Sequence, residues 1–147
     1  MLRVKSKRRI FAAIILTGVV FYLSLKVTQH KTEKDVAATV ERFGGRVAWD
    51  ADWFSWMTGI NARLWWNINV VDFSYQSLTD EQFDMLAPKL YKLPNLKYLL
   101  LQGTQLTDDS LPHLQRFSHL EHVTIGNTSI SDTSPHKLEA LNFSIAE

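Results

Sequence analysis

Leu93-Pro94-Asn95-Leu96-Lys97-Tyr98-Leu99-Leu100-Leu101-Gln102-Gly103-Thr104-Gln105-Leu106-Thr107-Asp108 is the stretch that decides the fold, because its pattern occurs three times. Its frame is Leu93, Leu96, Leu99, Leu101, Thr104 and Leu106-Thr107-Asp108. The copy before it has Trp65, Ile68, Val71, Phe73, Gln76 and Leu78-Thr79-Asp80, and the copy after it has Phe117, Leu120, Val123, Ile125, Thr128 and Ile130-Ser131-Asp132. The copies start at Trp65, Leu93 and Phe117, 28 and then 24 residues apart. A period of that length holds one short strand and one helical return per turn of a solenoid. The fold class is therefore α/β: about three units whose parallel strands are joined by helical returns.

Within each copy the apolar positions point inward, and the pairs Leu99/Leu101 and Val123/Ile125 have the period of two that a strand imposes. Thr104, Thr128 and Gln76 sit where the chain leaves the strand, and their side chains are suited to satisfying turn amides. Thr79, Thr107 and Ser131 are N-cap candidates for the returns. Phe83 and Leu86, repeated as Leu111 and Leu114, are expected to cover the convex side. The four extra residues of the first copy fall near Ala87-Pro88-Lys89-Leu90 and lengthen its helix. After Asp132 the pattern decays, Pro135 replaces a helical core residue, and no further strand is expected.

These blocks resemble the leucine-rich repeat family, in particular its T-x-[LIV]-[ST]-D subtype of bacterial proteins, which is similar to the repeats of F-box substrate receptors. The resemblance covers about residues 65–141. Phe43-Gly44-Gly45-Arg46-Val47 also looks like the lead-in to such repeats in membrane-anchored bacterial proteins. The chain departs from the F-box group in having three copies and no F-box-like helical module. The resemblance implies a protein ligand on the concave sheet. There the outward-facing residues are Val70, Asp72 and Ser74, then Tyr98, Leu100 and Gln102, then His122, Thr124 and Gly126. Tyr98 and Leu100 beside His122 give an apolar centre with a polar rim, the composition of a modest protein contact.

Upstream of the repeats, Ile10 to Leu25 is free of charge, and Val27 and Thr28 extend it beyond Lys26 to a length able to span a bilayer. A cleavable signal would need small residues at a cleavage site soon after this run, and Ser24 to His30 offers none. Arg3, Lys5, Lys7, Arg8 and Arg9 precede the run. The positive-inside bias then leaves the N-terminus cytoplasmic and the repeats on the outer, periplasmic or extracellular, side. Thr32 reads as the N-cap of a second helix carrying Val36, Val40 and Phe43 and stopped by Gly44-Gly45. Arg46 to Trp49 alternates like a short strand that shields the first repeat's edge. The expected organisation is a basic tail at 1–9, a transmembrane helix at 10–28, a linker and N-terminal cap at 29–64, repeats at 65–132 and a C-terminal cap at 133–147.

The 147 residues include 16 basic and 15 acidic side chains, and five of the basic ones belong to the tail. The remainder is mildly acidic, which argues against nucleic acid as a partner. With no cysteine, disulfides and thiolate chemistry are excluded. Trp49, Trp53, Trp56, Trp65 and Trp66 fall together, and read best as a plug for the end of the stack, ahead of an aromatic ligand site or a belt on the lipid surface. Asp50 and Asp52 are a poor basis for calcium or catalysis, having no further oxygen ligands nearby. His119 and His122 are three apart, but repeat register makes them diverge, so no metal or other cofactor is expected. No phosphate loop or hydrolase motif is present, and Asn127 and Asn142 head glycosylation sequons by pattern alone. The leading expectation is a membrane-anchored module for protein interaction, without catalysis. A self-associating cell-envelope component is the alternative, and a ligand or enzyme site in the tryptophan-rich cap is the third.

Overall fold

The computed structural model describes the backbone of residues 2–51, 66–131 and 144–146, and the side chains of residues 13–50 and 67–131. Within these, helix α1 (Leu2–Arg42) precedes strand β1 (Arg46–Ala51), strand β2 (Trp66–Asp72), helix α2 (Asp80–Leu90) and strand β3 (Tyr98–Leu100). A 3-10 turn (Asp108–Ser110) then leads into helix α3 (Leu111–Leu114), followed by strands β4 (His122–Thr124) and β5 (Ser144–Ala146). The strands form one mixed sheet in the order β1-β2-β3-β4-β5. β1 runs antiparallel to β2, with a register shift between Ala48 and Trp49, and the other pairs are parallel.

The repeated apolar residues stack on themselves. Val71, Leu99 and Val123 are register partners, and none has any side chain in contact with solvent. Phe73, Leu101 and Ile125 form the next buried row, and Leu78, Leu106 and Ile130 another. On the far side, Phe83, Leu86, Leu111 and Leu114 are all buried beneath the returns. The first return is longer, as the extra residues require: α2 has 11 residues and α3 has 4. Thr79 caps α2 through a reciprocal box with Gln82, and Thr107 caps the 3-10 turn.

The aspartate that ends each block has a role invisible in the spacing. Asp80 accepts from the Thr107 N–H at 3.0 Å, the Thr107 hydroxyl at 2.8 Å and the Ser110 hydroxyl. Asp108 does the same one copy on, accepting from the Ser131 N–H at 2.8 Å and its hydroxyl at 2.7 Å. Each carboxylate thus ties its own turn to the next, through charge-assisted bonds. Burial pushes the Asp80 carboxyl up, but the bonds from Ser110 and Thr107 outweigh it and hold it below the ordinary aspartate value of 3.8. The resulting stability is fully present above the unfolded-state pKa and lost as pH falls through the lower folded-state one. Asp80→Asn is expected to cost about 1–3 kcal/mol at neutral pH. It should also flatten the acid limb, which urea unfolding midpoints measured across acidic pH will check.

Thr104 and Thr128 satisfy carbonyls, where the spacing suggested amides. Their hydroxyls donate to Leu101 and Ile125 oxygens at 2.6 and 2.7 Å, and Thr128 alone also accepts an N–H, from Ile130 at 3.4 Å. A second difference is that α1 is continuous, so Thr32 starts no helix. Its hydroxyl donates back to the Thr28 carbonyl within the same helix. Glu33, Val36, Ala37 and Val40, at the i, i+3, i+4, i+7 spacing of one helix face, are buried against the sheet. Residues 14–27 of the same helix leave large apolar side chains exposed, Leu16 and Phe21 among them at 65% and 63%. It is the one helix among the described residues long and apolar enough to cross a membrane.

α1 ends where the glycine pair predicts. Gly44 has φ +81° and donates to the Glu41 carbonyl, while Gly45 donates to Val40, the two bonds of a Schellman stop. Gly45 also permits close packing: an added Cβ would lie 2.5 Å from the Phe73 ring and 2.8 Å from Val40. β1 follows at once, with Val47 and Trp49 packed on the core and Arg46, Ala48 and Asp50 outward. After Asp132, where the pattern predicts no strand, β5 pairs in parallel with β4. Trp53, Trp56, Trp65, Asp52 and most of the expected C-terminal cap lie outside the described residues.

Candidate binding face

Strand register brings the nine predicted face residues into three rows. Val70, Tyr98 and His122 are direct partners, and Asp72, Leu100 and Thr124 are the next set. Ser74, Gln102 and Gly126 follow beyond the strand ends, where Tyr75 N–H bonds the Gln102 carbonyl and Gly103 N–H the Gly126 carbonyl, each at 2.8 Å. All nine are partly or well exposed, whereas the alternate residues Val71, Leu99 and Val123 are sealed. A one-residue slip of register would reverse this, so the buried row itself fixes which residues face outward.

The face extends beyond β2, β3 and β4. β1 adds Ala48 opposite Val70 and Arg46 opposite Asp72, with the Arg46 guanidinium 3.5 Å from the Asp72 carboxylate. On the other side β5 continues the rows in its backbone, Ser144 beside His122 and Ala146 beside Thr124. Tyr98 and His122 lie with ring centroids 6.2 Å apart, and Asp72 is oriented by accepting the Ser74 N–H at 2.8 Å.

Tyr75 borders this face and the spacing did not identify it. It occupies the position filled by Gly103 and Asn127 in the other copies, and all three adopt left-handed backbone, at φ 60°, 67° and 57°. Glycine and asparagine tolerate that conformation, while a tyrosine is strained by it. Even so, Tyr75 stands 70% exposed, its hydroxyl accepting from Gln102 Nε2 at 2.9 Å and its ring lying over Gly103. Any Cβ at position 103 would meet that ring at 2.6 Å, so the second copy's glycine makes room for the first copy's aromatic. The signal was available: Phe73-x-Tyr75 against Leu101-x-Gly103 and Ile125-x-Asn127 puts one bulky residue at a turn position suited to small or polar ones.

Other candidates fall elsewhere. His119 lies in the loop before β4, beside α1, and His122 is on the open face. Asp50 is exposed on β1, and Asn127 is the left-handed turn residue its sequence suggested. Trp49 packs on the core with its ring 6.1 Å from His30, the part of the tryptophan cluster whose side chain is described.

No family model matches the chain. It is 37% identical over 65 residues to leucine-rich repeat-containing protein 75B of Homo sapiens, covering 40% of this chain and 21% of that protein. The Mus musculus counterpart is 33% identical over 76 residues, covering 47% and 25%. The chain thus spans about a fifth to a quarter of the length of these curated relatives. The likeness is weak and partial, and it is to proteins whose names carry the repeat read from the blocks above.

Proposed function

We propose that this chain is a membrane-anchored leucine-rich repeat module that binds a protein partner on its open sheet face and carries out no catalysis. The stack is read as a short solenoid of about three T-x-[LIV]-[ST]-D repeats. Residues 10–28 cross the bilayer, with the N-terminus cytoplasmic and the repeats outside. The observation that carries the reading is the open face itself. Tyr75, Tyr98 and Leu100 are partly or well exposed on the open side of a sheet whose other side buries Val71, Leu99 and Val123, and Tyr75 puts a large ring at a left-handed turn position that Gly103 and Asn127 fill in the other copies. Tyrosines in such positions are the anchors from which small interfaces draw most of their affinity. The distant likeness to named leucine-rich repeat proteins supports an interaction module.

The test is crosslinking and capture with the membrane-embedded full chain, wild type against Tyr98→Ala plus Leu100→Asp. A partner held by wild type and lost, by at least about tenfold, from the folded double variant is the expected result. Capture of the same proteins by both would move the contact off this face. Recovery of the chain's own copies would favour the self-associating envelope component.

A further inference from the structure

α1 leaves a cleft of about 460 Å³ against the loops that enter β3 and β4. Leu25, Thr28 and Thr32 form its helix wall, and Tyr91, Lys92 and His119 stand across from them. The two walls differ in chemistry. The Thr28 and Thr32 hydroxyls donate to the Ser24 and Thr28 carbonyls and the Gln29 amide donates to Glu33 and Asn67, so the helix side presents Leu25, threonine methyls and the Gln29 side chain. The loop side presents an exposed ammonium, an exposed imidazole and, from Ser118, a hydroxyl. Among the described residues no carboxylate lines the cleft, and Arg116 lines a smaller cavity that shares Tyr91, Ser118 and His119 with it.

The walls are held in place. Gln29 Nε2 donates to the buried Glu33 carboxylate at 2.9 Å and to Asn67 Oδ1 on β2 at 2.8 Å, which pins this turn of α1 to the sheet. Leu25 ends the charge-free run, and Val27 and Thr28 extend the span past Lys26, so with residues 10–28 in the bilayer the cleft opens at the level of the lipid headgroups. A pocket of this size is within the range of about 300–1,000 Å³ that takes small ligands. A largely apolar wall continuous with the span, facing the Lys92 ammonium with an imidazole and a hydroxyl beside it, suits a molecule that is itself half lipid and half phosphate. We propose that this cleft binds the phosphate-bearing headgroup of an anionic phospholipid, with its glycerol end against Leu25 and its phosphate toward Lys92, Ser118 and His119. The inference rests on the anchor reading above.

The test uses the full chain in phosphatidylcholine vesicles containing a trace of photoactivatable phosphatidylglycerol or photoactivatable phosphatidylcholine, with flotation measured on the same samples. Phosphatidylglycerol should label the segments around Tyr91–Pro94 and Ser118–His119 several-fold above phosphatidylcholine. Lys92→Ser should cut that labelling about fivefold, the effect of one surface charge near a membrane. Lys34→Ser, an exposed cation of α1 outside the cleft, should leave it unchanged. Equal labelling by both lipids, or no response to Lys92→Ser, in protein that floats overturns the cleft assignment alone. Labelling abolished by excess inorganic phosphate identifies a free-phosphate site and overturns the lipid assignment. Protein that does not float with the vesicles overturns the anchor, and this inference with it.

Discussion

Val40→Asp, in the last turns of α1, is expected to unfold the sheet domain or leave it barely stable. Val40 is wholly buried, on the face of α1 that also buries Val36 and Ala37 against the sheet. Replacement removes a packed side chain and places a carboxylate within the apolar core, two losses that add to about 4 kcal/mol or more. A domain of this size has roughly 5–15 kcal/mol in all. Glu41→Ala, one residue along and exposed, should change stability by no more than about 0.5 kcal/mol. Thermal melts of the detergent-solubilised full chain, followed by circular dichroism, check the pair. If Val40→Asp melts like wild type, the second half of α1 does not belong to the domain's core, and the helix is merely a stalk. Besides the Gln29–Asn67 bond to the sheet, Lys89 of α2 donates to Thr39 at 3.1 Å, so α1 is joined to the first return as well as to the sheet.

Leu99→Ala is expected to lower stability by about 2–5 kcal/mol, and Leu100→Ala by less than about 1 kcal/mol, although the residues are adjacent. Leu99 lies between Val71 and Val123 in the parallel ladder and has no exposure, so truncation leaves a cavity that strands on both sides prevent from closing. Leu100 points to the open face, where water already reaches it. Denaturant midpoints for the two variants measure the alternation directly. Equal losses would mean that the strand's two faces are not distinct, and the assignment of Leu100, with Tyr98 and Gln102, to a binding face would fail. The contrast also guards the capture experiment, because the Leu100 change must leave a folded domain for loss of a partner to be informative.

What the chain's own order of residues determined is whatever depends on near neighbours. The inward rows, the strand alternation, the caps at Thr79 and Thr107, the longer first return and the glycine stop of α1 all follow from side chains a few positions apart, and each is found where the spacing placed it. The three rows of the open face were legible for the same reason, since burying Leu99 obliges Tyr98 and Leu100 to turn outward.

Only the tertiary structure decided the rest, because the partners are far apart in the chain. Asp80 meets Thr107 27 residues away, and Gln29 meets Asn67 across 38, so neither contact leaves a local period to read. α1 runs unbroken through Thr32 because the Gln29–Asn67 bond before it and the burial of Val36, Ala37 and Val40 after it hold one straight helix on the sheet, which outweighs a capping preference at one residue. Strand β5 forms without a recognisable motif because the open edge of β4 offers backbone hydrogen bonds to three residues whatever their side chains. Tyr75 keeps its strained conformation because the stacked turns bond it to Gln102 and Gly103 leaves room for its ring. The cleft beside α1 likewise exists only because the helix is pinned at that angle to loops encoded some 65 residues later, from Thr28 and Gln29 to Lys92 and Pro94.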